Sequence, residues 1–175
     1  MKFPSNRKNL ALSGANSLSL GVETGSDLVR SHMKKKFSNE DLDQTMENFA
    51  LNKIACSFLI IIGYPTETQE DFYDTLRMFQ KYQRYSAQGI ILGVSLGATL
   101  TGLDSSPLFN MFDIKIQKQG MNNSWIINQN PTLDYNERVK RRLQAELVLD
   151  YLGYNLISSD RNFNQILREL HVLNK

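Results

Sequence analysis

Cys56-Ser57-Phe58-Leu59-Ile60-Ile61-Ile62, running straight into Gly63-Tyr64-Pro65-Thr66-Glu67-Thr68-Gln69-Glu70-Asp71, decides the fold class. The run from Cys56 to Ile62 is apolar, short and β-branched, which favours a buried strand over a helix. Gly63 and Pro65 bound it. Acids and hydroxyl side chains then crowd positions 66–71, where the positive end of a helix accepts them. Phe72, Leu76 and Phe79 follow at helical spacing as the buried stripe of that helix.

The same alternation extends in both directions. Upstream, Leu18 to Val22 reads as a short buried strand closing on Glu23-Thr24-Gly25-Ser26. A short helix over 27–36 follows, with Leu28, Val29, His32 and Met33 at helical spacing. Ser38, with Asp41 three residues on, is a capping box that opens a helix carrying Leu42, Met46 and Phe49 on one face. Downstream, Gly89 to Leu96 is a third apolar strand. Strands separated by helices need crossover connections, so the sheet is parallel and the class is α/β.

Beyond it, residues 101–130 are weakly periodic and Asn-rich, and read as a long irregular connection. Asp134 with Glu137 is a further capping box, for a helix ending near Leu152 with Gly153 as its C-terminal cap. A last amphipathic helix is expected through Phe163, Ile166, Leu167, Leu170 and Leu173. The organisation is thus an α/β half from 1–100, a connection from 101–131 and a helical segment from 132–175. About three parallel strands buried on both faces make a narrow sheet with open apolar edges, which soluble proteins avoid. Either the C-terminal helices cover those edges, or the sheet continues in another chain, or this is a piece of a larger domain.

Composition narrows the function classes. The chain has 175 residues, close to one domain, with 20 basic and 18 acidic side chains for a net charge of +2. That balance is no electrostatic footprint for nucleic acid, which is therefore not an expected partner. The longest wholly apolar run, Phe58 to Ile62, is far too short for a membrane span, and a soluble cytoplasmic protein is expected. One cysteine, Cys56, can form neither an intrachain disulfide nor a multi-cysteine metal site. His32 and His171 have no partner at metal-ligand spacing, so no metal ligands are assigned.

Two strand ends could carry chemistry. Glu23 and Thr24 fall at the C-terminal end of a parallel strand, where α/β folds bind ligands, and Gly25 lets the backbone approach one. A carboxylate there can accept two ribose hydroxyls. The plain alternative is a strand-to-helix turn with Ser26 or Asp27 as its cap. At the second end, Ile61, Ile62 and Gly63 offer a flat apolar surface for an aromatic ring. Glu67 is there either a ligand group or a first-turn acid. Arg30, Lys34-Lys35-Lys36 and Lys140-Arg141-Arg142 could clamp a phosphate or carboxylate. Solvated helix faces are the plainer reading of these cations. Trp125 could seat a base or a cobalamin edge, or pack over a core.

Taken in order, Leu20-Gly21-Val22-Glu23-Thr24-Gly25-Ser26-Asp27, the helix ending in basic residues, Phe37-Ser38-Asn39-Glu40-Asp41 and Phe58 to Thr68 with Asp71-Phe72 resemble the second half of a radical S-adenosylmethionine (SAM) core. The likeness is to the branch with an N-terminal cobalamin-binding domain, and continues through Asn130-Pro131-Thr132-Leu133 and the 137–142 helix. The resemblance implies a partial β/α barrel whose strand ends hold SAM. Glu23 and Thr24 would lie near the ribose, with Ser26 in the same turn. Arg30 or one of the lysines at 34–36 would lie near the SAM carboxylate, and Ile61, Ile62 and Gly63 against the adenine. The family's [4Fe–4S] cluster needs three cysteines in a C-x₃-C-x₂-C loop, which this sequence lacks, together with any cobalamin domain. The expectation is a fragment or split piece of a radical SAM enzyme, incompetent alone and paired with a chain carrying the missing N-terminal half. The alternative is a non-catalytic half-barrel kept as a binding or scaffold module. An RNA-modifying relative stands third. Substrate and reaction are not named by any of these residues.

Overall fold

The structure is a computed structural model that describes Gly14 and residues 16–97, 110–119 and 122–158. The C-terminal helix expected around Phe163 lies outside the described residues. Along the chain come β1 (Ser17–Glu23), α1 (Asp27–His32), α2 (Asn39–Asn52), β2 (Ala55–Ile60), α3 (Gln69–Ala87), β3 (Ile91–Leu96), β4 (Ile114–Gln119), β5 (Asn122–Ile127), α4 (Tyr135–Tyr151) and β6 (Leu156–Ser158). No helix among the described residues is long and apolar enough to cross a membrane.

The helices start where the side chains dictate. Ser38 accepts from the Asp41 amide while the Asp41 carboxylate accepts from the Ser38 amide, a complete capping box. Thr68 and Asp71 do the same for α3. Asp134 caps α4 through the Glu137 amide. At the other end of α4, Gly153 takes φ +76°, a conformation that L side chains rarely adopt. α1 stops at His32, short of the expected 36, because Lys34 turns left-handed at φ +58°.

β1, β2, β3 and β6 form one parallel sheet in the order β1-β2-β3-β6. This α/β arrangement of a parallel sheet flanked by helices is consistent with a partial β/α barrel. It has four strands rather than about three, since β6 is only three residues long and too short to signal itself. The stretch read as an irregular connection holds an antiparallel hairpin, with Ile116 opposite Trp125. Asn, Gln and Lys are poor strand formers and hid the period-two alternation of Ile114 and Ile116.

Burial on both faces of the sheet was expected, and the structure differs. Cys56, Phe58 and Ile60 of β2 and Val94 and Leu96 of β3 join one core with Leu42, Met46 and Phe49 of α2, Phe72, Phe79 and Tyr82 of α3, and Ala145 and Leu149 of α4. Alternate strand residues point to the opposite face. There Ser19 is exposed, Ser57 and Ser95 are half-buried, and Leu59 and Ile157 are 40% and 51% exposed. The three long helices therefore cover one face only. Each fully buried Phe on the covered face contributes roughly 1.5–3 kcal/mol.

Candidate functional site

The C-terminal ends of β1 and β2 lie side by side, with Glu23 in register with Ile60 and the Ile61 amide donating to the Glu23 carbonyl at 2.7 Å. Glu23 holds φ +68°, a strained conformation for a residue other than glycine. Its side chain folds back along its own strand: a Cβ on Gly21 would meet Glu23 Oε1 at 2.5 Å. Gly21 pairs with Leu59, whose side chain leaves the core, so the carboxylate lies on the sheet face that none of the described helices covers, the helix-free face among the described residues. Lys35 Nζ reaches it at 2.6 Å. A cavity of about 430 Å³ adjoins between β1 and α2, lined by Leu20, Gly21, Val22, Phe37 and Leu42 together with Asp41, Thr45 and the lysines at 34–36.

The other predicted residues of the first strand end turn inward. Thr24 is wholly buried, its hydroxyl shared with Thr75 Oγ1 at 3.0 Å and accepting from the Ser26 amide. Ser26 caps α1 through the Val29 amide and donates to Asp71. Burial works against an ionised Asp71, yet donors from Ser26 and Thr68 outweigh it and hold the carboxyl below its usual range. Arg30 is fully buried, bonded to the Gly25 carbonyl and Asn39, paired with Asp27 at 2.9 Å and stacked on Phe37. Of the cations considered, Lys35 is therefore the one on the Glu23 carboxylate, while Arg30 braces the turn.

At the second strand end, Ile61 is half-buried, Ile62 is in the core and Gly63 takes φ +79°. Gly63 is needed twice over, because a Cβ there would meet Arg138 Cγ at 2.6 Å and Cδ at 2.7 Å. Glu67 precedes the N-cap Thr68, so it is not a first-turn acid of α3. It is fully buried, and its Oε1 accepts from the Gly63 amide at 3.1 Å and from Arg141 Nη1 at 3.0 Å. Burial pushes its carboxyl up to about 7 despite Arg141.

The basic run 140–142 was read as a solvated face, yet Arg141 and Arg142 are buried along with Arg138. Arg141 donates to the Glu67 and Thr68 carbonyls, to Gln69 and to Glu137. Arg138 lies over the Trp125 ring at 3.6 Å and donates to the Leu133 and Trp125 carbonyls. Trp125 thus packs under an arginine. Sequence reasoning passed over these partners because they sit 73 to 75 residues from the loop residues they hold. Their one local signal is i, i+3, i+4 spacing on α4.

Cys56 is wholly buried and burial pushes its thiol up to about 12, so it is an inert core group. No cluster of three His, Cys, Asp or Glu that could hold a metal ion occurs among the described residues. One cysteine, turned into the core, does not fit an iron–sulfur cluster.

No family model matches the chain. Among curated proteins, it is similar to the tRNA-2-methylthio-N(6)-dimethylallyladenosine synthase of Thermotoga petrophila, 34% identical over 71 residues, which are 39% of this chain and 16% of that protein. The enzyme of the same name from Lachnoclostridium phytofermentans is 30% identical over 92 residues, 51% of this chain and 20% of that protein. The threonylcarbamoyladenosine tRNA methylthiotransferase of Drosophila melanogaster is 31% identical over 68 residues, 38% of this chain and 12% of that protein. The chain thus matches no more than a fifth of the length of these relatives. They are radical SAM enzymes, as the resemblance implied, and the cobalamin branch is not supported by them.

Proposed function

We propose that this chain supplies the later half of a radical SAM-type core and holds part of a SAM pocket at the C-terminal ends of β1 and β2. The observation that carries the reading is the Glu23 carboxylate, laid over Gly21 on a face that no described helix covers and paired with Lys35, while the Glu23 backbone carbonyl accepts from Ile61 at the neighbouring strand end. Only a glycine at 21 admits it, and a carboxylate–ammonium pair suits a ligand that is both nucleoside and amino acid. In this reading Glu23 accepts from ribose hydroxyls. Lys35 exchanges its contact with Glu23 for the ligand's carboxylate, and the half-buried Ile61 with Gly63 faces the adenine. When bound, SAM supplies a sulfonium whose alkyl groups can be transferred or cleaved.

The residues present, with one cysteine turned into the core, do not fit the cluster. A second polypeptide stretch bearing the cysteine loop would have to supply it, paired along β1. The matches favour the RNA-modifying reading, because all three relatives are named for tRNA. We take a modified adenosine in RNA as the substrate class, with the +2 charge leaving most of the affinity for RNA to the rest of the assembly.

Calorimetric titration of the chain with S-adenosylhomocysteine tests this. Binding that falls at least tenfold in Glu23→Gln and in Lys35→Ala, with unchanged unfolding midpoints, is expected. No binding either alone or with the cysteine-bearing chain overturns the reading and favours a scaffold half-barrel.

A further inference from the structure

The β2–α3 loop, residues 63–68, is held from outside its own unit. Arg138 walls off Gly63, and Arg141 Nη1 alone donates to three oxygens of the loop: the Glu67 and Thr68 carbonyls and Glu67 Oε1. Asn130 adds a bond to the Glu67 carbonyl at 3.4 Å. Inside the loop, Glu67 Oε1 also takes the Gly63 amide, and the Glu67 amide donates to the Tyr64 carbonyl at 2.8 Å. The loop's shape is therefore closed by one carboxyl that touches both its first residue and α4. Glu67 Oε2 is buried without a hydrogen-bond partner among the described residues. A buried carboxylate with one unsatisfied oxygen is costly, and a proton on it removes the charge.

We propose that Arg141 is a positioning residue for the ledge Ile61 to Gly63, acting through a proton-dependent contact with Glu67 that closes the 63–68 loop. This rests on the reading of that ledge as part of the nucleoside pocket. Protonated Glu67 keeps the loop shut, and ionised Glu67 favours opening to water. The groups that face Glu67 agree with this direction. Arg141 from α4 favours the ionised form, and Asp71 from α3 opposes it. Glu137 shares the Arg141 guanidinium through Nε and dilutes its pull on Glu67. Arg138 is committed to the Trp125 and Leu133 carbonyls. Burial then decides: the carboxyl ionises near 7 when the loop is closed, against 4.5 when solvated.

The distance between those values caps the change in the closed-to-open ratio at about 300-fold over the whole titration, of which about 140-fold falls between pH 4.5 and 8. Hydrogen exchange of the Gly63 and Glu67 amides in the full chain reads it directly, once intrinsic exchange is divided out. Protection should fall by up to about 75-fold as pH rises from 5 to 8.5, and should be flat with pH in Glu67→Gln. Arg141→Gln should lower protection at every pH, with the global unfolding midpoint as the folding control, and Arg141→Lys should restore part of it. A flat wild-type profile, or the same slope in Glu67→Gln, overturns the proposal. No nucleotide is present in this measurement. Its failure therefore leaves the pocket reading standing, and a failed titration with S-adenosylhomocysteine leaves the latch standing.

Discussion

Replacing Gly63 by Ala tests whether the C-terminal part of the chain shapes the second strand end. Two separate costs arise. The backbone sits at φ +79°, which costs an L residue about 1–2 kcal/mol. The new Cβ would also lie 2.6 Å from Arg138 Cγ and 2.7 Å from Cδ. Arg138 cannot swing aside cheaply, because its guanidinium lies over Trp125 and donates to two buried carbonyls. Overpacking of this kind costs roughly 1–3 kcal/mol, so Gly63→Ala should destabilise by about 2–5 kcal/mol. A double-mutant cycle in urea separates the two parts. In an Arg138→Ala background the two closest contacts are gone, the residue-138 Cβ at 3.2 Å stays, and the backbone part of about 1–2 kcal/mol is most of what remains. The coupling is then about 1–3 kcal/mol, in the sense that the double variant is more stable than additivity requires. Strict additivity would refute the reasoning, since it would mean that Arg138 does not stand against Gly63 in solution.

Three further outcomes follow from the same geometry. Glu67 has its carboxyl raised from 4.5 to about 7, so its contribution is fully present below 4.5 and lost as pH rises through 7. The stability gap between Glu67→Gln and wild type should therefore move in the variant's favour by up to about 3 kcal/mol from pH 4.5 to 8. Parallel urea midpoints across that range would contradict it. Cys56, with its thiol pushed up to about 12 inside the core, should resist a disulfide reagent in the folded chain and react at once in denaturant. Fast labelling of folded chain would show the thiol accessible. Ser26→Ala removes the α1 cap and a donor to Asp71, and should cost about 1–2 kcal/mol by thermal melting. A change below a few tenths would show the capping turn to be frayed.

The strands and caps could be read in advance because their causes are local. Cys56 to Ile62, Ser38 with Asp41, and Thr68 with Asp71 carry their signal within a few residues, and each element lies within two or three residues of its expected place. What could not be read depends on distance along the chain. Nothing near Glu67 announces Arg141, and nothing in the 140–142 run separates exposed Lys140 from its buried neighbours. The turn of α1 shows the same limit from the other side. Arg30 and the three lysines look alike as cations, and only the left-handed turn at Lys34 sends Lys35 to Glu23 while Arg30 stays beneath the loop. The helix-free face was missed for a different reason. A strand such as β2 satisfies an apolar pattern even where Leu59 is left uncovered, so hydropathy alone could not tell one buried face from two.

That uncovered face bears on the choice between a pocket and a scaffold. A surface built to dock another protein permanently is enriched in large apolar and aromatic residues. This one carries Ser19, Gly21, Ser57 and Ser95, with Leu59 and Ile157 as large apolar members, and Leu92 of β3 is also exposed. Gly93 is small for an internal reason, since a Cβ there would meet the Ile157 side chain at 2.6 Å. Gly21 is small for an external one, since what fills its missing side chain is the Glu23 carboxylate. A charged oxygen laid across the inner wall of a sheet, with a lysine as its partner, is costly inside a dry protein interface unless further groups satisfy it. A polar ligand that donates hydroxyls to the carboxylate removes that cost. The small side chains around it leave the room such a ligand needs, so the composition of this face favours a ligand over a permanent protein interface there.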